Sequence, residues 1–246
     1  MLFIRSAAFS AVMILSAIIY AVPSVMLFPF PFRQRYGFIK QWARFVLWWL
    51  KVSCRIDFVV EGGEHIGDEA AVVLCKHQSA WETLALQEIL PPQVWVLKRE
   101  LLFIPFFGWG LAMMEPIAID RKAGKKALSQ VLKQGKQRLD DGRWVVVFPE
   151  GTRTAPGHKG NYRMGGTRLA VHTGRPIIPI AHNAGEFWGR RQFVKQPGTI
   201  TLRIGPPIPT EGRKAEEVHE QAVNWIEAQM DEITDDRFKA NMKQVA

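Results

Sequence analysis

Beyond residue 55 the chain alternates short runs of apolar, β-branched residues with amphipathic stretches. The runs RIDFVVEG (55–62), AAVVLCK (70–76), QVWVLK (93–98), PIAID (116–120), RWVVVF (143–148), PIIPIAH (176–182) and TITLRIG (199–205) predict strands. Helical spacing predicts helices near 82–90, 124–140, 163–173 and 213–235, the first two stopped by Pro91 and by the Asp141-Gly142 turn. Strands alternating with helices predict an α/β layered domain built on a largely parallel mixed sheet.

The first 55 residues have another pattern. From Ser6 to Val22 the run SAAFSAVMILSAIIYAV holds 17 residues without a charge, about the lower limit for spanning a bilayer, and PSVMLFPFPF carries the apolar character to Phe32. A cleaved signal peptide would start in the same way, but the small-residue cleavage pattern is blurred and the segment after it is not water-seeking. On a helical wheel Arg33, Lys40, Arg44, Lys51 and Arg55 fall within about 60° of one another, with Phe38, Trp42, Phe45, Trp49 and Val52 on a different side. Such a helix suits the headgroup layer of an anionic membrane. The other reading is an ordinary surface helix whose apolar side meets the protein core. The pattern therefore predicts a membrane-associating helical hairpin over residues 1–55 and one domain over 56–246. Arg5 precedes the apolar run and Arg33 and Arg35 come after it, which gives no inside–outside asymmetry and favours dipping into one leaflet.

The net charge of +9 changes little in this picture, because residues 1–56 hold seven of the 32 basic residues and no Asp or Glu. Positive charge concentrated beside a hydrophobic segment argues against nucleic-acid binding. Two cysteines, Cys54 and Cys75, provide no disulfide framework and no zinc spacing, which fits a reducing compartment. His65, His158, His172 and His219 lack metal-ligand spacing, and no metal or cofactor is expected.

Candidate chemistry begins at KHQSAWET, residues 76–83, where a strand gives way to a helix. Ligand crevices in open α/β sheets lie at the carboxyl ends of strands, the place His77 occupies. As a general base, His77 would use Glu82 to hold its other ring nitrogen in the useful tautomer. Alternatively, Ser79 to Glu82 form a capping box in which Glu82 only satisfies the Ser79 backbone N–H. A second motif, FPEGTRT (148–154), comes directly after an apolar strand and offers backbone donors and the planar fork of Arg153 to an anion, or is a polar turn closed by Glu150. Arg121, ending PIAIDR (116–121), adds a cation at another strand end or pairs with Asp120 at the surface.

Together these segments resemble the 1-acylglycerol-3-phosphate acyltransferase family of membrane glycerolipid acyltransferases. Four blocks stand in the family's order: HQSAWE, PIAIDR, FPEGTRT and PIIPIAHN, spanning residues 77–183. The resemblance implies transfer of a fatty acyl chain from acyl-CoA or acyl-carrier protein to the sn-2 hydroxyl of lysophosphatidic acid, forming phosphatidic acid. It also implies His77 as base, Glu82 as its orienting acid, and Arg121, Glu150, Gly151, Thr152 and Arg153 as acceptor-binding residues. Other acceptors, such as a lyso-ornithine lipid, another lysophospholipid or glycerol 3-phosphate, and a non-catalytic lipid-binding relative, remain alternatives. Glu82 stands where the family has aspartate, and Lys76 where it has asparagine; Lys76 reaches either phosphate or solvent.

The expected partners are a lysophospholipid, the acyl donor and an anionic membrane surface, with the domain on the cytoplasmic face of the inner or plasma membrane, where acyl donors are made. A thioester is already activated, so the reaction needs proton removal, oxyanion stabilisation and alignment of two amphiphiles. Cys75 offers a conceivable acyl-enzyme route, against which stands a buried apolar cysteine. LLFIPFFGWGLAMM (101–114), with Gly108 and Gly110 leaving room, would line an acyl-chain tunnel or pack as core.

Overall fold

A computed structural model describes residues 1–239. Seven strands form one sheet: β1 (Ile56–Glu61), β2 (Val72–Cys75), β3 (Gln93–Lys98), β4 (Ile117–Ile119), β5 (Trp144–Val147), β6 (Ile177–His182) and β7 (Gly198–Ile204). Their order is β1-β7-β6-β2-β5-β3-β4. Every neighbouring pair is parallel except β6 with β7. The strands β2 and β5 are buried along their whole lengths, which is why they read as continuous apolar runs.

Helices cover both faces. Strand β2 reaches β3 through α3 (Trp81–Ile89), whereas β4 reaches β5 through α5 (Lys125–Asp140) and β5 reaches β6 through α6 (Gly165–Thr173). The first crossover runs along the sheet in the direction opposite to the other two. Right-handed connections therefore put α3 on one face and α5 and α6 on the other. The long α7 (Ala215–Ile233) joins the second layer, packing on β6 and α6.

The first layer is completed by the N-terminal hairpin, α1 (Leu2–Met26) and α2 (Phe32–Cys54), and by α4 (Phe107–Met113). Here the structure corrects the reading of α2 as a helix lying on headgroups. Ala43, Val46 and Leu50 are buried in the common core, and Phe38, Trp42, Phe45 and Trp49 pack against it. Tyr20 of α1 meets Phe38 with ring centroids 5.3 Å apart, and Trp42 Nε1 donates to Ser16 Oγ at 3.1 Å. Three cations of the stripe meet carboxylates: Lys40 and Arg44 reach Glu88 at 3.7 and 2.5 Å, and Lys51 reaches Asp57 at 2.6 Å. A wheel shows that a helix has an apolar side; it does not show that the sequence supplies both a helix and a domain to cover it.

Most of the unpartnered apolar surface lies instead on α1 and around α4, while Val52 and Trp48 of α2 stay exposed. Phe3, Ile4, Ile14, Leu15, Ile19, Val22, Met26 and Phe28 of the α1 region are exposed, as are Phe103, Ile104, Phe107 and Trp109. By length and composition α1 could cross a membrane, and only 17% of its most apolar stretch is buried. Yet it rests on the protein from end to end. Ser6 Oγ accepts from Lys195 N at 2.9 Å, Phe9 meets Trp188 edge-on, and Cys54 Sγ donates to the Arg5 carbonyl at 3.8 Å.

Candidate active site

The parallel strands β2, β5, β3 and β4 are neighbours, so their carboxyl ends line one edge of the sheet. His77 follows β2, Lys98 ends β3, Arg121 follows β4 and Phe148 follows β5; all four line a cavity of about 270 Å³. Arg153 lines it too. The remaining wall is mostly apolar and comes chiefly from α1, α2, α3, α4 and β3, with Ala17, Ile39, Leu84, Leu111 and Val96 among its members and Ser24, Thr83 and Gln87 as polar exceptions. Within 101–114, Leu101, Phe106, Phe107, Gly110, Leu111 and Met114 face the space. Gly108 has a different reason to be glycine: a Cβ there would overlap the Leu102 carbonyl.

His77 is held on three sides. Its Nδ1 lies 2.8 Å from Glu82 Oε1, and its ring stacks on Phe148 with centroids 4.1 Å apart. Its carbonyl accepts from Thr154 N at 2.7 Å, which ties the FPEGTRT loop to the β2 end. With Nδ1–H donated to Glu82, the free lone pair is on Nε2, the form a general base needs.

Glu82 performs both duties that the sequence offered as alternatives. Besides His77, its carboxylate accepts the backbone N–H of Gln78 at 3.0 Å and of Ser79 at 2.9 Å, while Ser79 Oγ accepts from Trp81 N at 3.1 Å. The helix start is thus closed by the same carboxylate that orients the imidazole. Burial alone would raise the Glu82 pKa, but the neighbouring His182 imidazole and the bonds from His77 and Ser79 together outweigh it and hold the group below the usual carboxylate range. Glutamate therefore reaches where the family has aspartate. His182 stands behind, with Nε2 2.8 Å from the Lys76 carbonyl, and burial lowers its pKa more than the nearby Glu82 raises it.

The other motif residues divide. Arg121 donates to the Gly151 carbonyl, and Gly151, at φ 67°, makes a turn that favours glycine. Thr152 is exposed beside them. Glu150 is near His77 but outside the cavity wall: Oε1 accepts the His77 backbone N–H at 3.3 Å and lies 3.6 Å from Lys76 Nζ. Burial raises its pKa above the ordinary value, more than Lys76 lowers it. Cys75 is buried and outside the cavity wall, and burial with Glu82 and Glu150 pushes its thiol well above the ordinary value, which disfavours the thiolate that an acyl-enzyme would need.

Two features escaped the sequence. Successive side chains at a strand end point to opposite faces, so Lys76 points away from His77 into the α6–α7 layer. There Lys76 Nζ reaches Glu227 Oε1 at 2.8 Å, Tyr162 Oη at 3.2 Å and the His158 carbonyl at 3.2 Å, with the side chain 1% exposed. It meets neither phosphate nor solvent. The second feature is Arg163, an exposed residue whose guanidinium is beside Gly151, since a Cβ added there would lie 3.7 Å from its Nε. Burial and then this neighbouring cation lower the Arg121 pKa. Among the described residues none of Arg121, Arg153 and Arg163 forms a salt bridge, and arginines gathered around one turn prepare a place for an anion.

The sequence model of the Acyltransferase family matches residues 57–183. The chain belongs to that family. A 1-acyl-sn-glycerol-3-phosphate acyltransferase of Pseudomonas aeruginosa is 45% identical over 236 residues, covering 94% of this chain and 92% of that one. The human 1-acyl-sn-glycerol-3-phosphate acyltransferase alpha is 33% identical over 178 residues, which is 71% of this chain and 63% of the human protein. Among solved structures, the 1-acyl-sn-glycerophosphate acyltransferase PlsC of Thermotoga maritima superposes with a TM-score of 0.78, covering 93% of this chain and 94% of that one at 21% identity. Fold and family thus agree with the α/β acyltransferase architecture that the motifs implied.

Proposed function

We propose that this acyltransferase moves a fatty acyl chain from a thioester donor to the sn-2 hydroxyl of 1-acylglycerol 3-phosphate, forming phosphatidic acid at a membrane surface. The observation that carries the reading is one cavity holding His77 at its polar end, Arg121 and Arg153 beside it, and an apolar wall beyond. In this mechanism the acceptor phosphate is gripped by Arg121 and Arg153, with Arg163 at the rim. His77 Nε2 takes the proton from the hydroxyl as oxygen attacks the thioester carbonyl, and the thiol leaves with a proton as the ester forms. Glu82 stabilises the imidazolium that appears in between. Gly151 and Thr152 shape the turn that aims the arginines, and Glu150 braces the His77 backbone from behind. No residue of this sequence requires a metal for the step, because the thioester arrives activated.

The membrane geometry follows from α1. Contacts of α1 with the domain from Arg5 to Ser24, and its place in the cavity wall, support an in-plane helix over an upright span. It lies in one leaflet, apolar side in the lipid, and the cavity between α1 and the sheet opens to chains drawn from that leaflet. The domain then sits on the cytoplasmic face, with its donors.

Purified protein in anionic vesicles, given labelled acyl donor and a panel of lysolipids, tests this reading. Phosphatidic acid from 1-acylglycerol 3-phosphate is the expected product. Preference for an acceptor without a phosphate, such as a lyso-ornithine lipid, would reject it.

A further inference from the structure

We infer that the lysine-bearing face of α5 is a docking surface for an acidic acyl-carrier protein, which brings the thioester to the cavity; this rests on the acyl-transfer reading above. From Arg121 to Leu139 the chain has seven basic residues and no Asp or Glu. Arg121 serves the cavity and Arg138 turns to Glu115 at 3.2 Å. The remaining five, Lys122, Lys125, Lys126, Lys133 and Lys136, are exposed. Helical geometry puts the last four within about 100° of one another over about 16 Å of axis. Among the described residues, the structure pairs Lys136 alone of these with a carboxylate, Asp140 at 2.6 Å. The neighbouring α6 adds exposed Arg168 and His172 and no acid. Leu128 and Leu132 floor a shallow groove between the two helices, rimmed by Lys125, Lys133 and His172. A cationic rim around a small apolar floor complements an acidic amphipathic helix.

Position decides between a soluble partner and the membrane. The basic face lies on the sheet face opposite α1, α2 and α3, and most of the exposed large apolar residues belong to the α1–α4 layer. It therefore looks away from the lipid. It also begins beside the cavity, since Arg121 lines the cavity and α5 starts four residues later. A carrier protein seated there presents its flexible thioester arm at the cavity mouth. Coenzyme A, with no protein surface of its own, does not need a lysine face of this length and meets the arginines at the mouth.

The test compares wild type with Lys125→Glu/Lys126→Glu/Lys133→Glu in vesicles of phosphatidylcholine and phosphatidylglycerol, with 1-acylglycerol 3-phosphate as acceptor. Palmitoyl-CoA and palmitoyl-acyl-carrier protein serve as paired donors. The apparent KM for the carrier thioester rises about ten-fold in the variant, and in wild type it rises with salt, because long-range charge attraction is screened. Constants for palmitoyl-CoA and vesicle binding stay unchanged. The triple glutamine variant moves the carrier KM in the same direction by a smaller factor. Equal loss with both donors, an unchanged carrier KM, loss of vesicle binding, or wild type that uses palmitoyl-CoA alone overturns the docking surface. Wild type that uses neither donor overturns the acyl-transfer reading itself, and the docking inference with it.

Discussion

Lys76 Nζ lies 2.8 Å from Glu227 Oε1, so the residue immediately before the proposed base is fastened to the last long helix of the domain. The same ammonium holds Tyr162 and the His158 carbonyl, both on the segment after FPEGTRT. Removing one member of a buried charge pair leaves the other uncompensated and costs roughly 3–5 kcal/mol. Lys76→Met is therefore expected to lower stability by that order in urea unfolding. Adding Glu227→Gln to Lys76→Met should cost much less than the sum of the two single changes, because the pair is removed together. Additive effects would show that the two side chains are energetically independent.

Glu82→Gln separates orientation from capping. The amide oxygen can still accept the Ser79 N–H, so stability should fall by no more than about 0.5–2 kcal/mol, the range for outright loss of a helix cap. An amide does not stabilise the imidazolium as a carboxylate does, so turnover should fall at least about ten-fold more than that stability loss explains, yet less than on removal of His77. Full activity in a destabilised variant would reduce Glu82 to a cap.

Acid stability should track the same carboxylates in opposite senses. Glu82 titrates below the ordinary 4.5, so the stability it contributes is present above 4.5 and is lost as pH falls through its folded value. Glu150 titrates above 4.5, so its contribution is present below 4.5 and is lost as pH rises through its raised value. Urea unfolding at a series of pH values should show Glu82→Gln flattening the acid-side fall. Glu150→Gln should instead remove a decline that begins above pH 4.5. Identical pH slopes in the two variants would contradict the arrangement.

Much of the fold was legible because β-branched blocks are short and the helices between them keep an apolar side. The expected strand at 93–98 is β3 residue for residue, and the expected helix at 124–140 is α5 with one residue fewer. Which layer each helix joins, and the antiparallel placement of β7 beside β6, depend on pairing between segments far apart in sequence, which no local period records. That His77, Arg121 and Arg153 share one cavity was legible because each ends or follows an apolar strand. Lys76 was not: its main partner is 151 residues away, and a lysine after an apolar run looks like one reaching for water. The α2 helix failed for a related reason. Val46 and Leu50 are 0% and 1% exposed, so cutting away residues 1–55 would strip the core rather than detach an anchor.

Membrane binding is accordingly expected to depend on α1 and the α4 loop more than on the α2 cations. Ile14→Asn/Ile19→Asn, at positions 58% and 60% exposed, should weaken vesicle binding on neutral and anionic lipid alike. Burial of each such side chain in the lipid contributes about 1.5–3 kcal/mol. The fold should persist, as read by circular dichroism. Unchanged vesicle binding would move the lipid contact elsewhere.

The central claim is that His77 removes the proton from the acceptor hydroxyl. The most direct measurement is steady-state formation of phosphatidic acid by His77→Ala in anionic vesicles, with saturating 1-acylglycerol 3-phosphate and acyl donor, beside wild type. The account predicts a fall in kcat of about 10²- to 10⁴-fold, the usual range for general-base assistance, with folding and vesicle binding intact. Retention of more than about a tenth of wild-type turnover would contradict it.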